Sequence, residues 1–436
     1  MSLNERETVK RNVQSFSINN LKKIKKQLLY WANQYGSCSF LDNNNYASPH
    51  SGVECRVGVG AINIFSPSED HHHLLKRFLK DNQDWLFGHI SYEYKDALNN
   101  KPGATPKVSE AEFEIVRFFQ PEIVVLLYLD KIEIQTIDLS PADVFESIYH
   151  FIIPETIINL GAVDLVPKIS KDQYLNSVRQ LQNHIVRGDC YEINFCQEFS
   201  ARTTINPLFI YQRLTDLSPN PFSCYYKVEE KYLLCASPER YIKKDGNQLI
   251  SQPIKGTIKR DVSDVFADEI LKNQLLESEK ERAENVMIVD LVRNDLSRIC
   301  QESSVEVSEL FGIYSFPNVH QMISTIVGTI NDNVDFANIL EATFPMGSMT
   351  GAPKRRVIEL IDKYEIGTRG LYSGTVGYIS PENDFDFNVV IRSILYNEST
   401  EYLSYQVGSG ITHYSNPEDE YEECLLKAAS IREVLK

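Results

Sequence analysis

Two segments of the chain carry carboxylates at helical spacing. In Leu275-Leu-Glu-Ser-Glu-Lys-Glu-Arg-Ala-Glu-Asn-Val, Glu277, Glu281 and Glu284 fall on one face of an expected helix, because residues three and four apart are neighbours. Near the C-terminus, Asn416-Pro-Glu-Asp-Glu-Tyr-Glu-Glu-Cys opens a second helix, with Asn416 as N-cap, Pro417 in the first turn, and Glu420 and Glu423 one turn apart. Two such rows facing each other would hold a hard cation. Magnesium takes oxygen ligands and keeps waters and substrate oxygens in its shell, so a few carboxylates suffice. Acidic residues are also favoured at helix starts, and an acidic face beside Lys280 and Arg282 is what a solvated helix presents. Spacing alone leaves both readings open.

The elements that must position these rows are legible in outline. A chain of 436 residues exceeds the size of one ordinary core, which predicts two domains or one large composite sandwich. Short apolar or alternating segments between Cys55 and Leu129, such as Glu122-Ile-Val-Val-Leu-Leu-Tyr-Leu, read as strands. The triple histidine 71–73 has no acidic or cysteine companion at ligand spacing and reads as a helix start. Lys22, Lys23, Lys25 and Lys26 alternate with Leu21, Ile24, Leu28 and Leu29 as the wet face of an amphipathic helix. Ser170 looks like an N-cap, and a boundary near residue 165 divides the chain into 1–165 and 166–436. Beyond it, helices over 172–186 and 264–293 alternate with strands at 191–199, 231–235, 374–379 and 402–408. Strands joined by tight turns as well as helices predict an α+β sandwich of antiparallel β-sheets with outer helices.

Bulk properties narrow the chemistry. A net charge of −16 repels nucleic acid and anionic membranes, so neither is an expected partner. A small anionic substrate would need a local metal ion or a few placed basic groups to reverse that field. No apolar run approaches the roughly 18 residues of a membrane span, and Met1-Ser-Leu-Asn-Glu-Arg does not open a secretory signal, which predicts a cytoplasmic protein. Eight cysteines without C-x-x-C pairing read as reduced thiols, and no glycine-rich nucleotide loop follows a strand.

The segment Lys280-Glu-Arg-Ala-Glu-Asn-Val-Met-Ile-Val-Asp-Leu-Val-Arg-Asn-Asp-Leu resembles the K-E-R-A-E-H-x-M-x-V-D-L-x-R-N-D-L block of the chorismate-utilising enzymes. That family includes the first components of anthranilate synthase and of aminodeoxychorismate synthase. Further matches follow in the family's order: Gly188-Asp-Cys-Tyr-Glu-Ile-Asn-Phe, Ala236-Ser-Pro-Glu-Arg, Pro253-Ile-Lys-Gly-Thr, Phe344-Pro-Met-Gly-Ser-Met-Thr-Gly-Ala-Pro-Lys, Tyr372-Ser-Gly-Thr-Val-Gly-Tyr, Gly408-Ser-Gly-Ile and Glu420-Tyr-Glu-Glu. The likeness is strong over residues 170–432 and weak before them. It implies a chorismate-binding sandwich in which Glu284 and Glu423 ligate Mg2+ while Glu281 and Glu420 hold its waters. It also implies chorismate as substrate, with Arg392 and Lys427 on its carboxylates and Thr257, Ser348, Tyr372, Gly408, Ser409 and Gly410 in its cradle. For Lys427, four residues after Glu423, a plain helical salt bridge stands beside that role.

Within the family, two positions bear on which nucleophile attacks the ring. Lys255 stands where most aminodeoxychorismate synthases carry a nucleophilic lysine and where other members generally have alanine. By that resemblance Lys255 adds to C2 as the C4 hydroxyl leaves, Glu239 protonates the departing oxygen, and ammonia then displaces the lysine to give 4-amino-4-deoxychorismate. Partial burial beside magnesium is expected to lower the lysine's pKa and free its lone pair. Glu192 stands where water-adding members have a lysine base and ammonia-using members typically have glutamine; the chain has neither. Gln321 replaces a histidine of many relatives, and His320 beside it should point elsewhere. The tryptophan-sensing L-L-E-S motif is unmatched at Ser39-Phe-Leu-Asp, which predicts no feedback by tryptophan. No segment resembles a glutaminase, so a separate glutamine amidotransferase subunit is the expected ammonia source. The competing readings are anthranilate synthase component I and a catalytically silent regulatory paralogue.

Overall fold

The computed structural model describes residues 10–46, 52–98, 109–154 and 162–436. Among them two large antiparallel sheets stack face to face. The first has 12 strands and runs from Asn12–Ser17 at one edge, through Ser37–Asp42 and Phe222–Val228, to Tyr402–Ile411, Glu192–Arg202 and Gly351–Ala352 at the other. The second has 10 strands and runs from Ile254–Lys259 through Val319–Thr329 and Thr375–Ile379 to Leu86–Ile90 and Asn63–Phe65. Residue 165, the expected boundary, lies just before the Val166–Pro167 strand. Strands from before and after it hydrogen-bond within both sheets, as Ser39 opposite Tyr226 and Gly88 opposite Gly377 illustrate.

Period-two side-chain alternation explains the layering. Val124 and Leu126 point into the layer between the sheets with Phe87, Phe119, Tyr226 and Leu233. Their neighbours Ile123, Val125 and Leu127 point the other way, into the layer that holds helices Leu21–Ala32 and Pro141–Tyr149. On the far side of the second sheet, Phe118, Phe385 and Phe387 pack against Phe336 and against Ile288, Val292 and Leu296 of the Glu279–Ser297 helix. A strand buried on both faces has no polar side, which is why 122–129 reads as one apolar run.

The long helix expected over 264–293 is two. Val265–Glu277 stops at Ser278, whose extended backbone ends one helix while its hydroxyl accepts from the Glu281 amide to start Glu279–Ser297. Glu277 therefore belongs to a different helix from Glu281 and Glu284. At the C-terminus the expected capping is found: the Asn416 side chain accepts from the amides of Glu418 and Asp419, and Pro417 occupies the first turn of Pro417–Lys427.

All eight cysteines are buried free thiols. The lysine-rich helix departs from expectation at one residue. Lys25 turns inward, its Nζ 2.6 Å from both Asp42 Oδ1 and Glu54 Oε1. Among the described residues no helix is long and apolar enough to cross a membrane.

Candidate active site

The candidate residues collect where the edges of the two sheets approach each other. Lys255 lies on Ile254–Lys259, at the edge of the second sheet; Glu192 begins Glu192–Arg202, next to the edge of the first. Lys255 Nζ donates to Glu192 Oε1 across this seam. Gly410 backs the pair: a Cβ there would stand 2.8 Å from both Glu192 Oε1 and Lys255 Nζ, so only glycine leaves the two groups their places.

Each acidic row arrives on its own layer. The Glu279–Ser297 helix packs on the Lys255 strand and on Val319–Thr329, while Pro417–Lys427 packs on Tyr402–Ile411. Asn285 fixes the first helix to the second sheet, accepting from Ser324 Oγ at 2.6 Å and donating to the Lys255 carbonyl at 3.5 Å. Gly256, at φ +96°, lets the strand pass close to Glu281, whose Oε2 would lie 3.1 Å from a Cβ.

The electrostatics show that the rows converge. Burial opposes the charge of Lys280, yet Glu284, Glu420, Glu281 and Glu423 together hold its pKa above the ordinary value. Burial, with Glu192 and Glu281 adding to it, pushes Glu284 up to about 7 against the pull of Lys255 and Lys280. Glu281 is likewise raised by burial, with Glu423 adding to it. Burial would raise Glu423 too, but Lys427, 2.7 Å away, holds it below the usual range. Lys427 also donates to the Gly408 carbonyl at 3.1 Å. The salt bridge that spacing allowed is therefore present, and the same ammonium touches the cradle strand.

The protein's own groups act on Lys255 in both directions. Burial does oppose its charge, but Glu192, Glu284 and Glu423 outweigh burial and hold its pKa above the ordinary value. Its proton is bound tightly because the partner at position 192 is a carboxylate. Glu239, at the turn after Lys231–Ser237, is 4% exposed. Burial pushes it up to about 7, opposed by a hydrogen bond from Ser348 and by the charges of Lys255 and Arg392. A carboxyl of that affinity keeps a proton to donate near neutral pH. Arg392, at φ +51°, has its charge opposed by burial and supported by Glu239.

Three cradle candidates are turned otherwise. The Ser409 hydroxyl lies 3.2 Å from Tyr174 OH, the Tyr372 hydroxyl lies 3.7 Å from Cys196 Sγ in the core, and Thr257 is exposed opposite Gln321. The backbones of Ser409 and Thr257, like that of Gly408, lie on the seam strands. His320 faces away as expected, with Nε2 3.0 Å from Asp268 Oδ1 and Nδ1 2.9 Å from Ser315 Oγ. Lys280 and Asn285 were not singled out from sequence. Lys280 had a signal in its four-residue spacing to Glu284; Asn285 had none.

Glu192, Glu239, Glu281, Glu284, Glu420 and Glu423 stand against Lys255, Lys280, Arg392 and Lys427, a formal excess of two negative charges. No three of the four helical glutamates bring ligand oxygens within 4.8 Å of one another. All-oxygen donors on two opposed helices with that excess fit a divalent cation that keeps much of its water shell. Among the described residues the group that meets the 4.8 Å spacing is Asp42, Glu54 and Cys55, and it already encloses the Lys25 ammonium.

Two stacked antiparallel sheets, with an acidic helix packed on each beside a buried lysine–glutamate pair, define a candidate enzyme site. The chain belongs to the chorismate binding enzyme family, whose pattern matches residues 55–433. It is 43% identical over 268 residues to the chloroplastic aminodeoxychorismate synthase of Arabidopsis thaliana, covering 60% of this chain and 29% of that protein. It is 36% identical over 273 residues to aminodeoxychorismate synthase component 1 of Escherichia coli, covering 63% of this chain and 60% of that one. The matched region thus spans less than two thirds of either relative. The fold matches that of the menaquinone-specific isochorismate synthase of Escherichia coli at a TM-score of 0.76 and 18% identity, over 98% of this chain and 95% of that one. Anthranilate synthase component I of Streptococcus pneumoniae gives 0.74 at 23% identity, over 99% and 93%.

Proposed function

We propose that this chain aminates chorismate at C4 through a covalent adduct on Lys255, making 4-amino-4-deoxychorismate for 4-aminobenzoate and folate synthesis. The observation that carries the reading is the position of the Lys255 amine, at the seam between the two acidic helices and within the field of a carboxyl that keeps its proton near pH 7. An alanine there would leave no nucleophile on the protein. Identity to aminodeoxychorismate synthases supports the same choice.

In this reading Arg392 and Lys427 meet the substrate's carboxylates, and the absence of a side chain at Gly410 leaves the Lys255 amine its place at the seam. Glu239 gives its proton to the C4 oxygen as the C–O bond breaks, so water leaves rather than hydroxide. Glu284 and Glu423 would hold Mg2+, with Glu281 and Glu420 on its waters; the ion's contribution is to neutralise the ring carboxylate and fix its orientation. Ammonia comes from a separate glutamine amidotransferase subunit, and free ammonium substitutes for it.

The test is to incubate the chain with chorismate, magnesium chloride and ammonium chloride and weigh the product. The expected product retains the enolpyruvyl group and carries an amine in place of the hydroxyl, and Lys255→Ala abolishes it. Anthranilate, which has lost the enolpyruvyl group, or full turnover by Lys255→Ala would overturn the reading. Adding glutamine with a glutaminase subunit should replace ammonium; no turnover with that subunit and glutamine, where ammonium supports turnover, would remove the partner from it.

A further inference from the structure

Lys255 must lose a proton before it can attack, and the fold binds that proton tightly. Something in contact with Nζ has to take it. Among the described residues the carboxylate hydrogen-bonded to Nζ is Glu192. Glu192 is 1% exposed, and its second oxygen is buried with no hydrogen-bond partner, so one of its lone pairs is used by no donor of the fold. Its geometry is also fixed. The Glu192 backbone is clamped between two strands, opposite Ala352 on one side and beside the Ile193–Ile411 pair on the other, and the missing side chain at Gly410 leaves space for the carboxylate and the amine to meet.

We propose that Glu192 is the proton acceptor and return donor for Lys255, so that the nucleophile is activated inside the pair rather than by losing its proton to water. This rests on the reading of Lys255 as nucleophile. The proton passes from Nζ to Glu192, leaving a neutral amine. The amine's electron pair forms the N–C2 bond, the ring double bond shifts, and the C4–O bond breaks as Glu239 protonates the oxygen, releasing water and leaving a secondary ammonium on Lys255. Ammonia then forms the N–C4 bond, the double bond shifts back, and the C2–N electrons return to Lys255 as a neutral amine. Glu192 gives its proton back to that amine, and the new C4 ammonium reprotonates Glu239. The sum is chorismate plus ammonia giving aminodeoxychorismate plus water, with every protein group restored.

A carboxylate at position 192 does something that the amide of the usual glutamine cannot. An amide accepts the Nζ hydrogen bond but does not take the proton. With Glu192, the pair holds one proton in both the resting and the reactive form, so activation needs no exchange with solvent. The charged groups facing the pair are Glu281 and Glu284 on the Glu279–Ser297 helix, Glu423 on Pro417–Lys427, and Glu239 with Arg392 in the segments where the chain passes from one sheet to the other. Glu192 itself adds to the raised affinity of Glu284, so Glu192→Asp, which keeps that charge, is the control against which the pH trend of Glu192→Gln is read.

The experiment compares kcat of the full chain with Glu192→Gln and Glu192→Asp at saturating chorismate, magnesium and ammonium from pH 6.5 to 9. For Glu192→Gln the expected deficit is at least tenfold at pH 6.5, with KM for chorismate within threefold, and it narrows as pH rises because solvent can then take the lysine proton. Glu192→Asp keeps a carboxylate one methylene shorter and should run parallel to the wild type at a lower, pH-independent fraction. A Glu192→Gln rate within twofold of wild type at pH 6.5, or the same pH trend in both variants, overturns the proposal. Intact-protein mass after chorismate without ammonium separates this from the reading beneath it. An adduct of chorismate less one water that forms in the wild type, is absent in Lys255→Ala, and forms at equal rate in Glu192→Gln at every pH removes Glu192 alone. No adduct in the wild type, with full turnover by Lys255→Ala, removes both.

Discussion

Replacing Glu284 by glutamine should make the protein more stable while destroying its response to magnesium. Glu284 has 12% of its side chain exposed, and its carboxyl goes from a pKa of 4.5 to about 7 in the fold. Between those values the folded chain keeps a proton that the unfolded chain has released. Stability therefore falls as pH rises through that window, and the whole penalty is present above it. At 1.36 kcal/mol per pH unit, the penalty at pH 8 is about 3 kcal/mol. Glutamine keeps the shape and removes the charge. With an unfolding entropy of roughly 2.1 cal/mol/K per residue, a chain of this length gains about 3 °C in Tm from that relief. The assay is thermal unfolding followed by circular dichroism in EDTA at pH 5 and pH 8, then at pH 8 with magnesium chloride. Glu284→Gln should melt higher than wild type at pH 8 in EDTA, with the gap closing at pH 5. Magnesium should raise the wild type and leave the variant where it was, since a ligand stabilises only the fold it binds. A variant less stable than wild type at pH 8 in EDTA would refute the electrostatic reasoning, and an equal magnesium shift in both would refute Glu284 as a ligand.

Glu239→Gln should lower kcat by about 10²- to 10⁴-fold with chorismate still bound, and the wild-type rate should decline above about pH 7 as the acid loses its proton, both read from steady-state profiles. Gly410→Ala should fold but lose turnover, because its Cβ would lie 2.8 Å from the amine and its partner; a near-normal Tm with absent product formation is the expected pair of results. Lys25→Met removes the cation between Asp42 and Glu54 and should cost about 3–5 kcal/mol in urea unfolding. Phe336→Ala, which empties a stack with ring centroids 4.8 Å from both Phe385 and Phe387, should cost about 3–5 kcal/mol in the same assay and leave KM unchanged.

Much of this was legible before the fold, for reasons that differ by residue. The cap at Asn416 and the turn at Pro417 are local chemistry, and local chemistry survives folding. The break at Ser278 was also local, since a serine three residues before Glu281 is a helix-start signal, but the apolar and acidic spacing runs through it and hides it. Lys25 was misread because a lysine on an amphipathic helix looks the same whether its far side meets water or two buried carboxylates 17 and 29 residues away. The affinity of Lys255 for its proton could not be read at all. It depends on Glu192, 63 residues distant and on the other sheet.

That dependence also explains why the site lies at a seam. Neither sheet alone carries a working set: the second brings Lys255, Glu239 and the Glu281–Glu284 row, while the first brings Glu192, Gly410 and, through the helix packed on Tyr402–Ile411, the Glu420–Glu423 row. Holding so many carboxylates on one element would repel: burial is the main cause of the raised affinities of Glu281 and Glu284, and neighbouring carboxylates already add to it. Dividing them between layers limits the repulsion within each row, and the repulsion between rows arises only where the layers meet, where the packed hydrophobic faces on both sides of each sheet supply the stabilisation that holds them there. A substitution that loosened the packing between the sheets, such as Phe87→Ala, should therefore weaken magnesium binding and turnover together without touching any charged residue of the site. Equilibrium titration of magnesium by tryptophan fluorescence beside kcat would measure both; a Phe87→Ala protein that unfolds more easily yet binds magnesium as tightly as wild type would separate the core from the site and refute the coupling.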